Sequence, residues 1–350
     1  MKKIIWMATA LCAVATLLCA PVSALSARSA VVMDAPTGRV LFAQNARERS
    51  LIASTTKIMT GLLACEDLDP LREIVIPTEA VGIEGSSLYL KAGERLRVID
   101  LLYGMMLRSG NDAAAALAIA HSGSEAAFVR TMNERAEALG LRDTHFANPH
   151  GLDDENNFST AFDLALLARA AMENERFREV VGSKSYHCGD RVFENHNKLL
   201  WRCDGAEGVK TGFTKAAGRI LVSSVNRQGR RLICVTIRAP DDWKDHCALY
   251  DECFRQYRTV ELCSRGQALG LLGDAPAAAA RNVQALLLPD EHIDRLQVRI
   301  GTQGAHAQWL CGDSVLAECP LIGVEHGRTA SEDHSVQNGS VPPEGGGSDP

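Results

Sequence analysis

The chain has 350 residues, 46% of them hydrophobic, 23% charged and 5% aromatic, with a formal net charge of −6. That balance describes an ordinary globular protein with enough apolar surface for a real core. It excludes a nucleic-acid partner, which needs a basic face, and supplies no electrostatic attraction to anionic lipid.

Taken in chain order, Lys2 and Lys3 precede an apolar run from Ile4 to Leu18, and Val22-Ser23-Ala24 follows. A basic start, a short apolar stretch and a small-residue cleavage site predict a secretory signal over 1–24, removed on export. The run is too short for a bilayer-spanning helix. The mature chain is therefore expected outside the cytoplasmic membrane, in the cell envelope or secreted. Nine of the 11 cysteines stay with it, from Cys65 to Cys319. An odd number cannot all pair and no C-x-x-C spacing occurs, so most are expected to be small buried hydrophobes.

Ala30-Val31-Val32-Met33 and Arg39-Val40-Leu41-Phe42 predict a hairpin turned at Asp34-Ala35-Pro36-Thr37-Gly38. A second hairpin is predicted from the runs 219–225 and 231–237 around Asn226-Arg227-Gln228-Gly229. Between them, helical patterning covers 54–65, 98–107, 111–120, 125–139 and 160–172. Strands from both ends that bracket a helical middle predict an α+β domain over 28–257, one antiparallel sheet packed against helices. Alternation at 296–300 and 307–310 predicts a small mainly β domain over 258–326. The Ser-, Glu-, Gly- and Pro-rich segment 327–350 is expected to be a disordered tail, without the amphipathic pattern of a membrane anchor.

Three short polar motifs fall within the 28–257 segment. In Ser54-Thr55-Thr56-Lys57 the spacing of three puts both functional groups on one helix face. Lys57 is the only charge among residues 54–65, which are apolar nearly all round, as in a buried helix. A buried lysine must be compensated or lose its proton, and a neutral amine beside a hydroxyl is what activates a serine nucleophile. Alone, the pattern arises about once by chance in a chain this long, and it also fits a capped helix with a snorkelling lysine. Ser109-Gly110-Asn111 is a polar turn between apolar helices. It is either a capped loop or a wall where Ser109 relays a proton and Asn111 orients Lys57 and a substrate amide. In Lys210-Thr211-Gly212-Phe213, an edge strand, Gly212 would let a ligand backbone approach closely. Lys210 and Thr211 could hold a carboxylate there, and the Phe213 N–H could receive an oxyanion; an edge lysine that discourages aggregation is the simpler alternative.

Each motif occurs once, in this order, and the three together are nearly the set shared by penicillin-binding proteins and class A β-lactamases. With them, the chain resembles the D-alanyl-D-alanine carboxypeptidases, the low-molecular-mass penicillin-binding proteins of β-lactamase/transpeptidase-like fold. The similarity runs from about residue 30 to 257. It includes Leu139-Gly140-Leu141, Asn148-Pro149-His150-Gly151-Leu152-Asp153 and His196-Asn197-Lys198-Leu199-Leu200. The resemblance implies that Ser54 attacks the penultimate D-alanine of a peptidoglycan stem peptide ending in D-Ala-D-Ala, with Lys57 as base. It implies an oxyanion hole from the Ser54 and Phe213 N–H groups, Ser109 and Asn111 on the opposite wall, and Lys210 and Thr211 at the terminal carboxylate. β-Lactams should acylate the same serine. Asn157 stands where relatives usually carry a histidine, and Lys244 is the candidate for an additional carboxylate-binding cation. The β domain looks short for the family, and peripheral association with wall or membrane is open.

No metal or cofactor is implied, and His145, His150, His187 and His196 are expected to be structural. A class A β-lactamase would need a dedicated deacylating glutamate, for which Glu155 and Glu173 are the nearest residues. A DD-endopeptidase would use the same groups on cross-linked peptides, and a non-catalytic wall-binding receptor would not need all three motifs.

Overall fold

The structure is a computed structural model that describes residues 25–272, 275–301, 305–312 and 314–323. The predicted signal over 1–24 and the predicted tail over 327–350 lie outside the described residues.

The sheet is built as the two hairpins demand. Its strands are β1 (Ser29–Asp34), β2 (Val40–Gln44), β3 (Ala206–Thr214), β4 (Gly218–Arg227) and β5 (Arg230–Ile237), in the antiparallel order β2-β1-β5-β4-β3. Gln228 and Gly229, both at positive φ, turn β4 into β5. Two left-handed residues give the backbone twist that matches a right-handed hairpin. Register sets Val31 opposite Val235 and Val222 opposite Val235, which joins the chain's two ends in one layer.

The period of two along β1 and β5 separates two cores. Val31, Met33, Ile233 and Val235 point into the helical middle of the chain. Ala30, Val32, Leu232 and Cys234 point the other way, against Leu249, Tyr250 and Cys253. Both faces are thus covered, which explains why these strands read as nearly continuous apolar runs.

The helices are α1 (Lys57–Asp67), α2 (Val98–Arg108), α3 (Asn111–Ser122), α4 (Glu125–Ala138), α5 (Ala161–Ala171), α6 (Glu175–Gly182), the single turn α7 (Leu199–Arg202), and α8 (Asp242–Gln256). Short polar side chains start three of them. Ser124, Thr160 and Asn174 accept from the N–H groups of Ala127, Asp163 and Phe177, supplying partners that a helix start lacks. α1 is buried from Lys57 to Cys65 and forms the axis of the helical layer. α8 covers the outer face of the sheet, joined there by Leu199 of α7.

After α8 the chain forms a smaller β unit with its own core. Arg258–Cys263 pairs with Val283–Leu287, and five further strands make an antiparallel sheet centred on Ser314–Gly323. Trp309, Leu316, Ala285 and Leu287 lie in that core. Arg39 docks the unit to the first one through Glu291, at 2.5 Å, in a half-buried ion pair.

Candidate functional site

Ser54 lies in a 3-10 turn, Ala53–Thr56, and α1 begins at Lys57, so the continuous helix expected from residue 54 is replaced at its tip by a tighter turn. Ala53 sits at φ 45, a left-handed conformation that costs a non-glycine residue about 1 kcal/mol or more. The turn is held from two sides. Gly151, at φ +89, lies so close that a Cβ there would meet the Ala53 carbonyl oxygen at 1.9 Å and the Ser54 nitrogen at 2.9 Å. Gly212 on β3 presses from the other side, where a Cβ would come within 3.2 Å of the Ile52 oxygen and 3.3 Å of the Thr55 nitrogen. The close approach that Gly212 permits is therefore to the Ser54 turn itself, which leaves Phe213 next to it and 65% exposed.

Gly151→Ala is expected to destabilise the fold by about 3 kcal/mol or more, because it combines a left-handed residue with a backbone overlap that no side-chain motion relieves. Thermal unfolding checks the loss.

Lys57 is fully buried, and its amine has three partners. Nζ stands 3.1 Å from Ser54 Oγ and 2.7 Å from Asn111 Oδ1, and it also donates to the carbonyl oxygen of His150. Burial drives its pKa well below the ordinary lysine value, and the nearby Lys210 adds to this, while Asp112 opposes it. Desolvation outweighs the single acidic neighbour because removing an ammonium from water costs several kcal/mol. Asn111 is fixed in orientation, since its Nδ2 donates to the Glu84 carbonyl at 2.6 Å and so turns Oδ1 toward the amine. Asp112 fastens the adjacent 84–90 segment by accepting from the N–H groups of Leu88 and Leu90 and from Ser87 Oγ. Ser109 is buried at the left-handed end of α2, two residues before Asn111.

On β3, Lys210 is buried with Nζ 3.0 Å from the Thr211 carbonyl, and burial lowers its pKa to about 7. Thr211 is half-buried beside it. His196 connects this end of the site to further cations: partial burial, with Arg108, Lys210 and Lys198, holds its imidazole below the usual value. Lys244, the residue considered from sequence as an additional carboxylate-binding cation, is on α8 across the sheet.

Two contributors were not assigned roles from sequence. The His150 carbonyl acts through the main chain, so its side-chain identity gave no sign; its imidazole is held down at about 4 by burial and by Lys57. Asn157 is buried, donates to Thr56 Oγ1 at 3.0 Å and accepts from the Ala147 N–H at 3.2 Å, tying the Ser54 turn to the 147–151 loop. Its departure from the usual histidine was the only signal. Glu155 and Glu173 are both exposed.

The model for D-alanyl-D-alanine carboxypeptidase matches residues 16–241. The D-alanyl-D-alanine carboxypeptidase DacF of Bacillus subtilis is 35% identical over 260 residues, covering 69% of this chain and 66% of its own length. DacD of Escherichia coli is 37% identical over 265 residues, covering 70% and 68%. The chain spans about two thirds of the length of these curated relatives. Among solved structures, penicillin binding protein 6B from Escherichia coli superposes with a TM-score of 0.71 at 31% identity, covering 85% of this chain and 95% of that one. The carboxypeptidase DacD from Francisella tularensis gives a TM-score of 0.70 at 26% identity, covering 91% and 97%. With the matched segment containing the Ser54 turn, the Ser109–Asn111 turn and the Lys210 strand, the chain belongs to the D-alanyl-D-alanine carboxypeptidase family of serine peptidases.

Proposed function

We propose that this protein is a serine D-Ala-D-Ala carboxypeptidase of the cell wall, and that residues 28–257 are its catalytic domain. One observation carries the reading: a buried lysine amine, driven toward its neutral form, stands 3.1 Å from a half-buried serine hydroxyl. Lys210 and Thr211 anchor the substrate's terminal carboxylate. Ser54 Oγ attacks the carbonyl carbon of the penultimate D-alanine as Lys57 takes its proton. The Ser54 and Phe213 N–H groups receive the oxyanion. Asn111 holds Lys57 and the substrate amide, and Ser109 relays the proton to the departing amine. Water then releases the acyl group.

The site is expected to work outside the cytoplasmic membrane, where the stem peptide is found, after removal of residues 1–24. Among the described residues no helix is long and apolar enough to cross a membrane. β-Lactams present a strained amide and a carboxylate to the same groups and acylate Ser54. The exposed positions of Glu155 and Glu173 favour a carboxypeptidase over a class A β-lactamase, which needs a glutamate to speed deacylation.

The test is release of D-alanine from an N-acylated peptide ending in D-Ala-D-Ala. Release is expected, and one equivalent of benzylpenicillin should stop it. Binding without release would favour a receptor, and rapid steady hydrolysis of the penicillin would favour a β-lactamase.

A further inference from the structure

Four cysteines gather at the outer face of the sheet: Cys203 just after α7, Cys234 on β5, and Cys247 and Cys253 on α8. They differ in surroundings. Cys234 and Cys253 are buried among apolar groups, which pushes their thiols up, to about 12 for Cys253, and leaves them unreactive. Cys203 meets a cation instead: Arg227 Nη2 donates to its sulfur at 3.6 Å, while Nη1 of the same guanidinium pairs with Asp251 at 2.8 Å. Cys247 Sγ donates to the Arg202 carbonyl at 4.0 Å, the peptide group that leads into Cys203. Cys203 Sγ in turn donates to the Asp204 carbonyl at 3.9 Å, so the two sulfurs sit against the carbonyls on either side of residue 203. The neighbouring Cys247 side chain, aided by Arg227, draws the Cys203 thiol down to about 7 against the effect of burial. Cys247 is only half-buried, so the pair can be reached from solvent.

We propose that Cys203 and Cys247 are a redox pair that closes to a disulfide between the α7 turn and α8, with Cys203 as the attacking sulfur. With a peroxide as oxidant, the Cys203 thiolate attacks one oxygen, the O–O bond breaks, and the first water leaves to give a sulfenic acid. The Cys247 sulfur then displaces the second water from the oxidised sulfur as the S–S bond forms. The two thiols give up two electrons, the peroxide takes them, and both thiol protons end in water. A disulfide oxidant gives the same bond by exchange, releasing its own two thiols. The bond anchors Cys203, three residues before β3, to the helix behind the sheet. This inference depends on export to an oxidising compartment, not on the hydrolase reading.

The experiment uses the full chain, reduced and then treated with one equivalent of hydrogen peroxide, followed by peptide mapping without reductant. The expected result is a linked peptide joining Cys203 to Cys247, a loss of two titratable thiols, and a melting temperature higher by about 5 °C. Cys247→Ala should give no link and should leave Cys203 trappable by dimedone as a sulfenic acid. Links among other cysteines, or Cys203 in the reduced wild type alkylating no faster at pH 7 than Cys65 and Cys253, would overturn the proposal.

Discussion

Replacing Ser54 with alanine is expected to abolish D-alanine release and covalent penicillin labelling, a fall of at least about 10⁴-fold in turnover. The side chain is one small hydroxyl, half-buried at the surface of a turn, so its loss leaves the packing intact. The turn itself is held by Thr55 Oγ1, which donates to the Ile52 carbonyl at 2.5 Å, and by the two glycines against it, and none of these contacts needs the hydroxyl. The variant should therefore melt near the wild type and still bind substrate, since Lys210, Thr211 and Asn111 are unchanged. A labelled band from a fluorescent penicillin on a denaturing gel, present for wild type and missing for Ser54→Ala, checks it.

Lys57→Met is expected to reduce acylation by about 10³-fold while leaving the protein folded, the range of a lost general base. Methionine fills nearly the same volume without an amine to take the proton. Two acceptors, Asn111 Oδ1 and the His150 carbonyl, lose a donor, which costs about 1–3 kcal/mol at most for each. The buried amine carried a desolvation penalty of its own, so the net change in stability should be smaller than that sum. A comparison of acylation rate with melting temperature separates the outcomes. A rate loss without unfolding assigns Lys57 to the chemistry, and a large loss of stability would make it mainly structural.

Much of this site was legible because its side chains announce themselves. A lone lysine in an otherwise apolar helix must be unusual chemically, and Ser54 three residues earlier shares its face. The hairpins were legible for the same reason, since β-branched runs bounded by Gly229 and by the 34–38 turn admit few alternatives. What the sequence concealed was carried by the backbone. Nothing in an alanine at position 53 shows that it is left-handed, and nothing in His150 shows that its carbonyl faces the Lys57 amine. Gly151 and Gly212 are small because the nucleophile turn is pressed between them, a three-dimensional fact with no local signature. α8 carries little sequence signal because its buried face mixes Leu249, Tyr250 and Cys253 with Asp242, Asp245 and His246, which interrupts the apolar stripe.

The pH dependence of the acylation rate by a β-lactam tests the central claim most directly. A base must be deprotonated to act, so the rate rises through the pKa of Lys57 and then levels off. With that amine lowered by burial and by Lys210, the rate should level off well below the pH at which an ordinary lysine loses its proton. A rate still climbing about tenfold per unit between pH 8 and 10, as an ordinary lysine near 10.4 would impose, would contradict the account.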